Sequence, residues 1–343
     1  MAAPPVVLGL DFGGTKIAAA VCDLAGNQLA SATVGSDGAL GAQASFGRGI
    51  QVARDLLSSA APGSELVAVG VSTFGIPFED RVELAPAIDG WHSLAMGREL
   101  RAAFAGAQIR MATDAKAAAQ AEVRWGALAG CDPAVYLNLG TGLAAAIVIG
   151  GQVVAGVNGA AGEIGYNLRS VADVGRALDQ RALLEHMVSG QALAERAAGP
   201  EGSTGSGPGE AGGGDGQRLT AADIFAAAAT DRRLDRLIDD FADELAFHLV
   251  NLAILVNPQR IAVGGGMVRS WDRLRPGLEH ALSAGVPFPP ELVAARFPSD
   301  APLIGAVALA VDAAHAEAAA RPGTDGGDPV TFPPITISEG LPS

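Results

Sequence analysis

Apolar positions along this chain recur with two different periods, and the switch from one to the other marks its elements. Val6 to Asp11 (VVLGLD) and Lys16 to Cys22 (KIAAAVC) are short, nearly continuous apolar runs, and a third begins at Gln28. Gly13-Gly14 and Ala25-Gly26-Asn27 punctuate them, so the opening predicts three strands joined by tight turns. Phe46, Ile50, Ala53 and Leu57 then follow helical spacing, which predicts a helix over 41–60. A strand buried on both faces is predicted at Glu65–Ser72, a short helix at Gly97–Phe104, a strand at Gln108–Thr113 and a helix from Asp114 onward. The order is β-β-β-α-β-α-β. Between Ala134 and Gly156 the three-strand layout recurs, with Gly140-Thr141-Gly142 at the first turn and Gly150-Gly151 at the second. Further on, Thr220 and Asp223 form a capping signal. Leu237, Phe241, Leu245 and Leu252 predict a long helix over Arg232–Val256. A strand at Arg260–Val263 runs into Gly264-Gly265-Gly266, and a final helix is predicted at Ile304–Ala319.

The turns carry the first chemical signal. Asp11 ends a strand, Gly13 and Gly14 offer backbone amides that can turn inward, and Thr15 adds a hydroxyl, which together make an anion cradle beside a metal-seeking carboxylate. A single such turn reads equally as a plain glycine hairpin. Its repetition at Gly140, Thr141 and Gly142 predicts two phosphate grips on two related halves, with a nucleotide between them.

Composition narrows the partners. The net charge is −14 and no Lys/Arg run occurs, which argues against a nucleic acid or an anionic membrane surface. Hydrophobic residues make up 49% but aromatics only 5%, as in a globular protein cored by small side chains. Cys22 and Cys131 have no metal or disulfide spacing, which fits a reducing, cytoplasmic setting. The apolar runs near Leu143 and Leu249 are too short or too interrupted to span a bilayer, and the N-terminus lacks a leader pattern. Residues 198–218 are so rich in Gly, Ser, Pro and acids that a flexible insertion is expected there, and 321–343 reads as a disordered tail.

LDFGGTK, TDAKAAAQAE, LGTG, GAAGEIGY, LVNLAILVNPQRIAVGGGM and IGAVALA, in that order, resemble the ROK family of sugar kinases and repressors. The resemblance spans nearly the whole chain. It implies an α/β fold of two lobes, the actin-like, ribonuclease-H-like ATPase architecture, with ATP, magnesium and a hexose or amino-hexose in the cleft. The expected small lobe is 1–113, joined by the returning helix at about 304–320, and the large lobe is 114–303. A cytoplasmic homodimer is expected, acting on the sugar's 6-hydroxyl. Asp11 suits the magnesium held through ATP, while Gly13, Gly14, Thr15, Lys16, Gly140, Thr141 and Gly142 suit the phosphates. Gly264, Gly265 and Gly266 match the family's adenosine-side loop. Asp114 sits where a strand meets a helix, which suits a general base and equally a helix N-cap; the resemblance favours the base. Gly75, Thr113, Glu163, Tyr166 and Glu185 fall at sugar-binding places of the family.

This chain also departs from that pattern. The usual Asn-Asp-x-Asn is Thr113-Asp114-Ala115-Lys116, Ala144 replaces a glycine, and Ala87 stands where an Asn often lies near the sugar. Lys116 is left with three readings: pairing with a phosphate or sugar acid, pointing to solvent, or pairing within the fold. Arg176, Leu178 and Leu183 occupy the places of three zinc cysteines and Tyr166 that of a histidine, so no structural zinc is expected. In its place Val174, Leu178, Ala182 and Leu183 suggest an apolar helix face docking that loop. Repressors of the family carry a helix-turn-helix ahead of the phosphate hairpin, and here the hairpin opens the chain. A sugar or nucleotide sensor without catalysis is the alternative, and Asp114 is the residue a pure binder has no need to keep.

Overall fold

The structure is a computed structural model describing residues 3–199 and 219–320. The tail at 321–343 and nearly all of the insertion at 198–218 lie outside the described residues. In the first half β1 (Val6–Phe12), β2 (Lys16–Cys22) and β3 (Gln28–Gly35) form an antiparallel meander. Then α1 (Ala42–Ala60), β4 (Leu66–Thr73), the small hairpin β5 (Ile76–Pro77) and β6 (Val82–Glu83), α2 (Met96–Ala103) and β7 (Gln108–Thr113) complete it. After α3 (Asp114–Trp125) the plan repeats as β8 (Ala134–Leu139), β9 (Leu143–Ile149) and β10 (Gln152–Val153). Three helices follow, α4 (Gly190–Ala198), α5 (Ala221–Ala228) and α6 (Arg232–Val256), then β11 (Arg260–Gly264), α7 (Trp271–Gly285), β12 (Glu291–Ala294) and α8 (Ala301–Ala320).

The two sheets have the same topology: β3-β2-β1-β4-β7 and β10-β9-β8-β11-β12. In each, three antiparallel strands lead into two parallel strands reached by helical crossovers. Helices α1 and α2 cover one face of the first sheet, through Phe46, Ile50, Ala53 and Leu100. Its other face meets α8 through Val307, Ala310 and Val311. Helix α3 packs on α8 and lays Ala118 and Ala119 against Tyr136 and Ala146 of the second sheet. The far face of that sheet is closed by α6 and α7.

This stacking explains the alanine and glycine excess. At Gly70 an added Cβ would lie 1.8 Å from the Ala306 carbonyl oxygen, and at Gly305 one would lie 1.7 Å from that of Ala117. Only absent side chains let α8 approach both the first sheet and α3 so closely. Helix α8 is also long and apolar enough to cross a membrane, but its apolar residues are used inside this sandwich.

Most predicted elements are present within a few residues. Helix α8 begins at Ala301 rather than Ile304. Thr220 and Asp223 form the expected capping box on α5. The apolar helix face expected at Val174, Leu178, Ala182 and Leu183 is absent. That stretch is a series of short 3-10 turns, and Val174 and Leu178 are exposed. Polar groups hold it instead. Arg169 forms a two-point pair with Glu244, and Arg181 donates to the carbonyls of Tyr166 (2.7 Å) and Asn167 (3.1 Å). Leu184 is the buried apolar anchor.

Candidate active site

The ends of β1, β4 and β7 lie side by side, with Asp11 in register with Ser72 and Thr73 with Thr113. Side chains presented at the carboxyl ends of parallel strands face a crevice in open α/β sheets. Asp11 is buried and its carboxyl is pushed up to about 6, chiefly by burial and further by the Asp114 carboxylate, while the Ser72 hydroxyl and Lys16 pull it down. Ser72 Oγ is itself fully buried and lies close enough to influence Asp11 without meeting hydrogen-bond geometry. A buried carboxylate without a full complement of partners suits a cation supplied with a ligand.

The first glycine turn is tighter than its sequence suggests. The amide of Gly13, expected to face an anion, is already donated to the Lys16 carbonyl at 2.9 Å. Ser36 fastens the turn from β3, its Oγ donating to the Gly14 carbonyl at 2.7 Å and its amide to that of Thr15 at 3.0 Å. Among the described residues the amides of Gly14 and Thr15 make no hydrogen bond. Lys16 is exposed, with Nζ 3.7 Å from Asp300 at the start of α8.

In the second turn the Gly140 amide donates to the Gly142 carbonyl at 3.1 Å, and the Gly140 carbonyl accepts from Gly190 at 2.7 Å. Gly265 has φ +87°, and a Cβ there would lie 2.5 Å from the Leu139 carbonyl oxygen, so the Gly264-Gly265-Gly266 loop packs directly against the Gly140-Thr141-Gly142 turn. Glu185 meets this turn, accepting from the Leu143 amide at 2.8 Å; a Cβ on Gly142 would sit 2.4 Å from its Oε2. Gly75, at φ +77°, turns the chain into β5, whose Ile76 touches Gly159 of the second half.

Asp114 is the first residue of α3, not its cap. Thr113 takes that role, its hydroxyl accepting from the Lys116 amide at 3.4 Å. The N-cap reading of Asp114 therefore falls, and among the described residues its carboxylate accepts only from the neighbouring Ala115 amide, at 2.7 Å. Burial pushes this carboxyl up to about 6; Glu163 and Glu185 raise it further, while the Ala115 amide and Lys116 oppose. Lys116 does not reach solvent: it is buried, with Nζ 3.3 Å from Glu163 Oε1. Glu163 is raised by burial and held back by Lys116, and the Tyr166 hydroxyl is raised by burial, Glu185 and Glu163. One cluster thus contains Asp114, Lys116, Glu163, Tyr166 and Glu185.

Two of its features escaped the sequence. Ser72 ends an ordinary buried strand, and only its register with Asp11 gives it a place here. Lys116 meets Glu163 across 47 positions of chain. Arg176 and the exposed Leu178 stand on the loop where zinc cysteines were sought, and among the described residues no group of three or more His, Cys, Asp or Glu could hold a metal.

A family model described as the ROK family matches residues 7–313. A protein from Brucella melitensis called bifunctional enzyme NanE/NanK is 31% identical over 324 residues, covering 89% of this chain and 54% of that protein. The chain therefore spans about half the length of the bifunctional relatives it matches. A glucokinase of Streptomyces coelicolor is 31% identical over 89% of this chain and 97% of that protein. A kanosamine kinase of Amycolatopsis mediterranei is 28% identical over 89% and 96%. Among solved structures, a ROK hexokinase from Thermus thermophilus aligns with a TM-score of 0.73 at 26% identity, covering 92% of this chain and 100% of that one. A ROK family glucokinase from Streptomyces griseus, in complex with glucose and AMPPNP, aligns with a TM-score of 0.69 at 28% identity over 90% and 99%. With the duplicated sheets, this likeness gives the two-lobed, actin-like α/β fold. The chain belongs to the ROK family.

Proposed function

We propose that this chain is a cytoplasmic kinase that uses ATP and magnesium to phosphorylate a hydroxyl of a hexose or amino-hexose, the 6-hydroxyl being the favoured position. The observation that carries the reading is Asp114: uncoupled from helix capping by Thr113, half-buried beside Glu163 and Glu185, and raised to about 6. A carboxylate so placed accepts a hydroxyl proton more readily than an ordinary aspartate, yet stays ionised at neutral pH. The solved relative with glucose and AMPPNP supports the pairing of a sugar with an adenine nucleotide on this fold.

Asp11, with the orphaned Ser72 hydroxyl beside it, is suited to hold magnesium together with nucleotide phosphates. When bound, the metal neutralises charge on the phosphates. The free amides of Gly14 and Thr15 hold phosphate oxygens on one side, and the Gly140–Gly142 turn does so on the other. Gly264 to Gly266 accept the adenosine end: Tyr136 and the Leu139 carbonyl keep Gly264 and Gly265 bare, and Gly266 borders open space. Glu163, Glu185, Tyr166 and Gly75 orient the sugar, and Asp114 takes its proton. The segments 1–113 with α8 and 114–300 serve as the closing lobes. Phe247, Ile254 and Leu255, exposed on α6, suit self-association into a homodimer.

A non-catalytic sensor remains the second reading, favoured by the substitutions at Thr113, Lys116 and Tyr166. The test is ADP release over a panel of hexoses and amino-hexoses. Sugar-dependent turnover with at least one member is expected. Calorimetric sugar binding with no ADP release from any member would instead establish the sensor.

A further inference from the structure

The carboxylates of Asp114, Glu163 and Glu185 share one small region and sense one another's charge, and Tyr166 stands at its margin. Lys116 is the cation placed among them. Its relative exposure is 5%, and Glu163 is its ion-pair partner among the described residues. It is anchored two residues beyond Asp114, on the first turn of α3. Its side chain bridges from the start of α3 to Glu163, so the ammonium stands at the buried edge of the carboxylate cluster.

Three carboxylates without a fixed cation would favour an acceptor that brings its own positive charge. Here the fold itself places a lysine there. A second ammonium near Glu163 would meet Lys116 as a like charge at short range in a partly desolvated site, where repulsion is far stronger than in water. A hydroxyl or an acylated nitrogen meets no such repulsion and still finds the carboxylate oxygens as acceptors.

We infer that Lys116 is a specificity-determining residue that restricts the acceptor to uncharged sugars, so that a neutral hexose is phosphorylated and a hexose with a free ammonium group facing Glu163 is rejected. This inference rests on the sugar-kinase reading above and chooses between its two substrate classes. It separates this chain from a relative whose name specifies an amino sugar, kanosamine.

The test compares kcat and KM for glucose, glucosamine and kanosamine, at a pH where both amines are protonated, in the native chain, Lys116→Arg and Lys116→Gln. The native chain should prefer glucose, mainly through KM. Lys116→Arg keeps the charge and should keep the preference. Lys116→Gln keeps a donor for Glu163 without the charge, and should shift the amino-hexose to glucose ratio of kcat/KM upward by roughly tenfold or more. A purely structural lysine would change all three sugars alike. An unchanged ratio in Lys116→Gln overturns the inference, as does a native chain that uses an amino-hexose as well as glucose, whichever variants fold. Absence of ADP release with every sugar would instead bring down the kinase reading, and this inference with it.

Discussion

The two halves of the molecule repeat one backbone plan but not one chemistry. Asp11-Phe12-Gly13-Gly14-Thr15 and Asn138-Leu139-Gly140-Thr141-Gly142 occupy the same place in their sheets, two residues before the hairpin closes. The first half puts a buried carboxylate there, in register with Ser72; the second puts a neutral amide, in register with Gly264. The junctions differ likewise. Strand β7 runs directly into α3, so that Asp114 opens a helix, whereas Ala294 at the end of β12 is separated from α8 by a loop ending in Asp300. Duplication provided two glycine turns, and Asp11 and Asp114 reside on the first half with its connecting helix. The second half contributes glycine turns and Glu163 and Glu185, the proposed sugar-orienting glutamates.

The largest effect should come from removing Asp114, the proposed base, which has no counterpart in the second half. In Asp114→Asn turnover should fall about 10²–10⁴-fold with the melting temperature preserved. Near-normal turnover would remove Asp114 from the chemistry and leave the two halves functionally closer than proposed.

Converting the first half to the second by Asp11→Asn should lower turnover by about 10²-fold, since phosphate charge would lose its metal ligand. The same change should alter stability in a pH-dependent way. A carboxyl raised from 3.8 to about 6 in the folded state favours the protonated native form. Its stabilisation is therefore complete below about pH 4 and lost as pH rises through about 6, on the order of 3 kcal/mol. Without metal or nucleotide, the native chain should lose thermal stability over that window, and the variant should lose less of it. Parallel melting curves of the two proteins across pH 4–7 would contradict this.

The equivalent glycines should respond unequally. A Cβ at Gly13 would lie 2.9 Å from the Lys16 carbonyl oxygen, whereas at Gly140 the nearest contact is 3.8 Å. Gly13→Ala should cost about 1–3 kcal/mol in urea unfolding, and Gly140→Ala under about 0.5 kcal/mol. Equal losses would show that the two turns are under the same constraint after all.

The smallest change concerns the loop between Glu163 and Glu185. Arg181→Ala removes the donors holding the Tyr166 and Asn167 carbonyls. Sugar KM should rise by roughly threefold with kcat almost unchanged, because the loop is loosened while Asp114 is untouched. A fall in kcat alone would place Arg181 in the chemistry instead.

Local pattern determined much of this protein. Apolar runs of six to eight residues closed by glycine turns specify the paired meanders, and helical spacing specifies α1, α3 and α6, because period and turn chemistry act between near neighbours. The repeat of those patterns, with the glycines at Gly13 and Gly140, made two halves and two cradles legible. Strand β12, with four residues, carries too little periodic signal to be singled out, whereas α7 is marked by Leu274, Leu278 and Leu282 at four-residue spacing although Pro276 lies inside it. The loop at Val174 and Leu178 misled, because apolar spacing says nothing about whether a covering surface exists; there the ion pair of Arg169 with Glu244 and the bonds from Arg181 do the fastening. What only the tertiary structure decided is charge. The raised Asp11 and Asp114, the orphaned Ser72 and the Lys116–Glu163 pair depend on burial and on partners far apart in the chain, and the field at a side chain is a sum over space, not over sequence.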